Sequence, residues 1–295
     1  MHGGDQHFGV VVGVDGSAPS DAAVRWAAGE AVLRKLRLTL VNAIATPALP
    51  WPAEPIPAEL TQREELASRT ILDDAVKIAE DIIRDSGRAE IKSQLLHSAP
   101  VPTLVDMSKD ADLVVVGARG LGAVRSVLLG SVSTGLIHHA YCPVAVIHDE
   151  ASRRPRAVHD SVLLGSDGSP ASELATAIAF EEASLRGTTL VALHAWRDAD
   201  MAHIPSMEEG SLRSAAEETL AERLAGWQER YPDVSVTRIV EYDQPATHLL
   251  GQSKLAQLVV VGSHGRGGFT GMLLGSVSTA VAQAAHTPVI VARSH

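Results

Sequence analysis

The 295-residue chain has a single cysteine, Cys142. No disulfide can form within it, which fits a reducing compartment and points to the cytoplasm. Cys142 itself reads as a small buried hydrophobe. Aromatic residues make up 3%, too few for platforms on which nucleic-acid bases stack. Lys and Arg number 25 against 35 Asp and Glu, a net charge of −10. Nucleic acids and anionic membranes need clustered positive charge, so neither is an expected partner. No apolar run approaches the ~18 residues of a membrane helix, and no membrane insertion is expected. The opening "MHGGDQHFG" lacks a basic segment followed by a long apolar one, so no signal peptide is expected. His2 and His7 read there as terminal residues, not metal ligands. What remains is a chain 45% hydrophobic and 20% charged, enough for two buried cores at roughly 150 residues per domain.

The chain repeats itself. "VVVGVDGSAPSDAAVRWAAGEAVLRKLRLTLVNAI" starts at Val10, and "SVLLGSDGSPASELATAIAFEEASLRGTTLVALHAW" starts at Ser161. Asp15 matches Asp167 at an offset of 152, without a gap as far as Ile44 and Trp196. Further on, Gly117 matches Gly262, Gly130 matches Gly275 and Pro143 matches Pro288, all at an offset of 145. The seven-residue difference, 152 less 145, falls to the Pro-rich "TPALPWPAEPIP". The joint "DEASRRPRAVHD" is polar and contains Pro155, as a linker would. The expected domains are therefore residues 1–150 and 158–295, with a linker at 151–157.

Each repeat alternates strand and helix. In the first, Phe8–Val14 is an apolar run suited to a strand buried on both faces. Pro19–Lys35 has helical periodicity, Leu38–Ile44 reads as a strand, and Thr61–Ser86 as a long amphipathic helix with paired charges. Glu90–His97 alternates as a strand does, and Val101–Lys109 reads as a short helix. "LVVV" at Leu113–Val116 is a strand, Ser131–His139 a helix and Pro143–Ile147 a last strand. Five strands alternating with four helices predict an α/β fold: two tandem doubly wound domains, each a five-stranded parallel sheet ordered 3-2-1-4-5. Ligands in such sheets bind beyond the carboxyl ends of the strands, where strand order reverses.

A glycine-rich segment falls at that place in both repeats: "VVVGARGLGAVRSVLLGSVSTGL" and "VVVGSHGRGGFTGMLLGSVSTAV". Glycine lets backbone approach a ligand closely. The helix that follows offers unpaired N–H groups and a partial positive charge, an anion site. Ser131 and Ser276 are the expected N-caps, with Ser133 and Ser278 adding hydroxyls one turn in. Added Cβ atoms at Gly117 or Gly262 are expected to crowd a bound phosphate. The segment is not a P-loop, because no Gly-Lys-Ser/Thr follows, and the first strand–helix turn lacks the dinucleotide fingerprint. That turn carries Asp15 or Asp167 instead. In a 3-2-1-4-5 sheet it lies beside the fourth strand's loop, so either carboxylate can accept hydrogen bonds from a ribose or base. Each also fits an Asx turn entering the first helix, and the two roles are compatible.

These residues resemble the universal stress protein family in its tandem two-domain form, over nearly the whole chain. The family's ATP-binding signature is Gly, two residues, Gly, nine residues, Gly, then Ser or Thr. It stands here as Gly117, Gly120, Gly130, Ser131 and again as Gly262, Gly265, Gly275, Ser276. The resemblance implies ATP as ligand, with Mg²⁺ bridging its phosphate oxygens. It implies that Asp15 and Asp167 meet the adenosine end, that Val41 and Leu193 line the base pocket, and that Ser131, Ser133, Ser276 and Ser278 meet phosphate. The candidate set also takes in Gly13 and Gly165 on the first strands, and Val116, Val132, Val261 and Val277 beside the loop glycines. The resemblance further implies pairing of "PVAVI" with "PVIVA" across a pseudo-twofold axis within the chain, which would satisfy exposed sheet edges. A homodimer beyond that is left open.

The implied role is a non-catalytic ATP-binding regulator or sensor in stress adaptation, growth arrest or persistence, acting on an unidentified protein partner. Two alternatives stand beside it. A slow ATPase or nucleotidyl-transferring enzyme would use His264 as a base and Arg119, Arg125 or Arg266 against developing charge. A structural module would hold only stray anions. His138, His139 and His194 have no zinc-like spacing and read as helix-end and core or pocket residues; Trp26, Trp196 and Trp227 read as packing anchors.

Overall fold

The computed structural model describes residues 7–45, 58–121, 129–148, 161–196, 209–265 and 274–293. The Pro-rich loop, the expected linker, His2, Arg125 and Arg266 lie outside the described residues. The chain divides into two units, Met1–Ser152 and Arg153–His295.

In the first unit β1 (Gly9–Gly13) leads to α1 (Ala18–Arg34), β2 (Leu38–Ala43) and α2 (Ala58–Ser86). Then come β3 (Ile91–Leu96), α3 (Pro100–Met107), β4 (Ala111–Gly117), α4 (Ser131–His139) and β5 (Val144–Ile147). The strands form a parallel sheet in the order β3-β2-β1-β4-β5. The second unit runs β6 (Ser161–Gly165), α5 (Pro170–Arg186), β7 (Leu190–Trp196), α6 (Glu209–Arg230) and β8 (Val236–Tyr242). It continues with α7 (Pro245–Ser253), β9 (Ala256–Gly262), α8 (Ser276–Ala284) and β10 (Val289–Ala292). Its parallel order is β8-β7-β6-β9-β10. Each sheet is thus ordered 3-2-1-4-5, as the alternation of elements predicts.

The inner strands are apolar on both faces because helices cover both. Val10, Val11, Val12, Val114 and Val115 are fully buried, as are Val162, Leu164, Leu258 and Val259. Each such side chain contributes roughly 1.5–3 kcal/mol. α1 lies close against the sheet because its inward face is small: Ala22, Ala23, Ala27, Ala28 and Ala31 are buried. Both first helices carry a buried carboxylate at the same place. Glu30 pairs with Arg34 at 2.8 Å, and Glu182 pairs with Arg186; both carboxylates are fully shielded. The charge pairs on α2, such as Glu65–Arg69 and Lys77–Asp74, are solvated and contribute little.

The two first helices end alike. Lys35 and Gly187 hold left-handed backbone, and Leu36 and Thr188 donate back to Ala31 and Ala183 carbonyls at 2.9 and 3.0 Å, the Schellman closure. One expected helix divides: Val101–Lys109 becomes α3 followed by a 3-10 turn over Ser108–Asp110. There the Ser108 hydroxyl donates to the Val105 carbonyl at 2.6 Å. Cys142 is buried, and burial pushes its thiol up to about 12. Trp26 and Trp196 are buried, and Trp227 stacks on Phe180 and Tyr231.

Candidate functional site

β1 and β4 are adjacent, but the chain leaves them for opposite directions in the sheet, so their carboxyl ends flank a crevice. Two connections meet there. The first is the β1–α1 turn. The Ser17 amide and hydroxyl both donate to Asp15 Oδ1, at 3.0 and 2.6 Å, an Asx turn. Ser17 is the N-cap of α1 and accepts from the Ser20 amide at 3.3 Å. The second unit repeats the pattern: the Ser169 amide donates to Asp167 Oδ1 at 2.9 Å, and the Ser172 amide to Ser169 Oγ at 3.2 Å. Such a cap contributes about 1 kcal/mol.

The second connection is the glycine segment after β4. Asp15 reaches into it, its Oδ2 accepting from the Leu121 amide at 3.1 Å. A Cβ at Gly120 would overlap that carboxylate oxygen, and one at Gly265 would stand 2.6 Å from Asp167 Oδ2. The middle glycine of each signature is therefore set by the aspartate it touches. The first glycine has a different cause. A Cβ at Gly117 would lie 2.8–2.9 Å from the Pro19–Ser20 backbone, and one at Gly262 at the same distances from Ala171–Ser172. These glycines thus have a cause within the protein, letting the strand end pack against the first helix, beside the expected crowding of a bound phosphate.

The third glycine caps the helix. The N-caps of α4 and α8 are Gly130 and Gly275, with no side-chain cap, not Ser131 and Ser276 as expected. The reason is the backbone: the Gly130 and Gly275 amides donate to Ala118 and Ser263 carbonyls at 2.7 and 2.8 Å. That pins the chain in extended form one residue earlier. Ser131 and Ser276 become the first helical residues and are exposed. Ser133 and Ser278 are buried, and their hydroxyls donate to carbonyls of the turn: Ala118 and Gly130 at 3.0 Å each, Ser263 and Gly275 at 3.1 and 2.9 Å. They brace the loop. Among the described residues nothing accepts from the amides of Ser131, Val132 and Ser133, or of Ser276, Val277 and Ser278. Three N–H groups at each helix end thus face the crevice uncapped, and a helix N-terminus favours an anion there.

Around this turn lie the other candidates. Val41 and Leu193 are buried on β2 and β7, in register with Gly13 and Gly165. Val116 and Val261 are buried at the ends of β4 and β9, and Val132 and Val277 are half-buried. The next residue on the second strand braces the first turn: Asn42 donates to the Val14 carbonyl at 2.7 Å, and His194 Nδ1 lies 2.7 Å from the Ser166 carbonyl. Neither brace was foreseen as such. Burial raises the carboxyl of Asp21 in the first turn of α1, against the pull of Arg25, with Asp15 and Asp74 adding to the rise. In the second loop His264 Nδ1 lies 3.0 Å from Ser263 Oγ; its first-unit counterpart, Arg119, is exposed. A cleft of about 670 Å³ lies at the opposite end of the first sheet, lined among others by Lys35, Arg37, Arg88 and Glu90. Arg37 pairs there with Glu90 at 2.9 Å, and the cleft touches none of the crevice residues.

Two doubly wound parallel units, each with a glycine-capped helix at its switch point, make this a tandem α/β protein. The sequence model of the universal stress protein family matches residues 9–148 and again 159–293, and the chain belongs to that family. It is 53% identical over 293 residues to a universal stress protein of Mycobacterium tuberculosis, covering 99% of each chain. A second from that species is 52% identical over 288 residues, covering 98% of this chain and 97% of the other. The solved structure of a universal stress protein from Archaeoglobus fulgidus matches with a TM-score of 0.71 at 21% identity, covering 98% of this chain and all of the other; that likeness is one of fold. Among the described residues no helix is long and apolar enough to cross a membrane.

Proposed function

We propose that each unit binds ATP and that the chain is a nucleotide-responsive regulator in stress adaptation, working in the cytoplasm through an unidentified protein partner. The observation that carries this reading is the glycine-capped helix end: three amides with no acceptor among the described residues, beside an exposed serine and a loop held by an aspartate. The donor set fits a polyphosphate. The amides of residues 131–133 and 276–278 would hold phosphate oxygens, with the Ser131 and Ser276 hydroxyls. Mg²⁺, held through the phosphate oxygens, would neutralise their charge. Asp15 retains acceptor capacity after its protein bonds, since a carboxylate offers about four lone-pair sites, so it can take a ribose or base donor too. Several such bonds are compatible with micromolar affinity, roughly 8 kcal/mol. Bound ATP would stabilise one state by mass action, and a partner would read that state.

A slow ATPase or nucleotidyl-transferring enzyme would draw on His264. Arg119 stands at that position in the first unit, so the two loops share no such base, and regulation is the better reading. Titration calorimetry with Mg-ATP, paired with native mass spectrometry, tests it. Two ATP molecules per chain, displaced by neither sulfate nor phosphate at equal concentration, are expected. Binding no tighter than sulfate would leave the loops structural. Turnover above buffer background that vanished in His264→Ala would replace regulation by catalysis.

A further inference from the structure

The two first turns differ in what covers them. Gly16 and Gly168 hold the same left-handed backbone, φ +78° and +74°. Over Gly16 lies Ile71 of α2, its Cγ1 3.0 Å from where a Cβ would stand. Over Gly168 lies the guanidinium of Arg223 from α6, so close that a Cβ would overlap Cζ and both terminal nitrogens. Arg223 Nη1 is shielded from solvent. The paired strands set the register, Leu38 with Ile91 and Leu190 with Val236. At the resulting offset of 145, Ile71 corresponds to Ala216 and Arg223 to Ile78. Alanine is too short to cover the glycine, and the arginine two turns along takes the place.

The exchange is chemical, not only steric. Arginine stays charged at any physiological pH and presents a planar fork that matches phosphate oxygens. It lies against Gly168, the residue next to Asp167, whereas the group that covers Gly16, next to Asp15, is the hydrocarbon side chain of Ile71. In a chain of net charge −10, a half-buried cation beside one of two sites that share a backbone frame separates the ligands they favour.

We propose that Arg223 is a specificity-determining residue: it makes the second site favour a nucleotide that carries an extra phosphate on its ribose, while the first favours the nucleotide without one. This rests on the nucleotide reading above, in which the Asp15 and Asp167 turns take the adenosine end and the helix ends the 5′-phosphates. The test titrates the full chain with ATP, adenosine 5′-monophosphate and adenosine 3′,5′-bisphosphate. One site per chain prefers the bisphosphate over the monophosphate by about tenfold, as a charge-assisted hydrogen bond gives. Arg223→Met keeps the length and abolishes that preference, Arg223→Lys retains most of it, and both still bind two ATP. Two ATP per chain with the preference absent, or unchanged in Arg223→Met, would overturn the role of Arg223 and leave the nucleotide reading standing. No ATP at either site would overturn both.

Discussion

The two units agree where backbone meets backbone and differ where side chains face the crevice. Gly117 and Gly262 approach the first helix at the same distances, and Ser133 and Ser278 brace the same carbonyls. Asp15 and Asp167 hold the same turn. Yet Ile71 and Arg223 cover that turn differently, Asn42 and His194 brace it with different groups, and Arg119 in one loop is His264 in the other. The common part is the geometry that keeps three amides open at a helix end. The variable part sits where it alters which ligand fits and not whether the turn forms.

The largest expected effect breaks the common part without touching the fold. A Cβ at Gly130 or Gly275 has room, with its nearest neighbours at 3.5 and 3.4 Å, and both glycines have ordinary extended backbone. Gly130→Asp and Gly275→Asp each supply the carboxylate cap that the helix lacks. The cap accepts from the second or third open amide and its charge repels phosphate. Each variant is expected to lose roughly a hundredfold or more in ATP affinity at one site, about 2.8 kcal/mol. The urea midpoint stays level or rises by a few tenths of a kcal/mol equivalent. Calorimetric stoichiometry falling from two to one, with unchanged unfolding, is the readout; two undiminished sites in both variants would mean that the helix ends hold no ligand.

Gly117→Ala and Gly262→Ala do the reverse. Their Cβ atoms meet backbone, which cannot rotate aside, so each variant is expected to lose roughly 1–3 kcal/mol of stability. The losses should match, because the distances do. Chemical denaturation measures this, and a stable Gly117→Ala that bound ATP poorly would favour phosphate crowding over the packing explanation.

That pair also marks where sequence reading stops. The strands are legible because burial on both faces demands apolar runs such as "LVVV", and the repeat offsets put both sheets in one order. The glycine spacing is legible as a motif, but its causes are not. Gly117 touches Pro19 and Gly120 touches Asp15, contacts across about a hundred residues that leave no local trace. "GSVS" offers glycine and serine as rival caps. The choice falls to the glycine because its amide bonds Ala118 or Ser263, a tertiary fact. Arg223 carries no signal at all, lying on an exposed-looking stretch of helix two turns from the register partner of Ile71.

Smaller effects attend the braces on the second strand. Asn42→Ala and His194→Ala each remove a hydrogen bond to a buried carbonyl of the first turn, worth about 1 kcal/mol in stability. If the two groups are equivalent braces, Asn42→His and His194→Asn should each be milder than the alanine change. Comparing urea midpoints across the four variants decides it. Swaps as damaging as the alanine changes would show that each unit has been packed around its own side chain.

The smallest expected effect isolates backbone strain. Lys35 and Gly187 close their helices with φ of 56° and 59°, a region that costs an L residue roughly 1–2 kcal/mol and glycine almost nothing. Glycine's greater freedom in the unfolded chain offsets about 0.4–1 kcal/mol of that gain. Lys35→Gly should therefore stabilise the first unit by about 0.5 kcal/mol. Gly187→Lys should destabilise the second by as much, since a Cβ there meets nothing within 4 Å. Equal and opposite shifts in denaturation midpoint would confine the difference to φ. If Lys35→Gly destabilised instead, the Lys35 side chain would be contributing through the cleft that it shares with Arg37 and Arg88, because the backbone term alone can only favour the glycine.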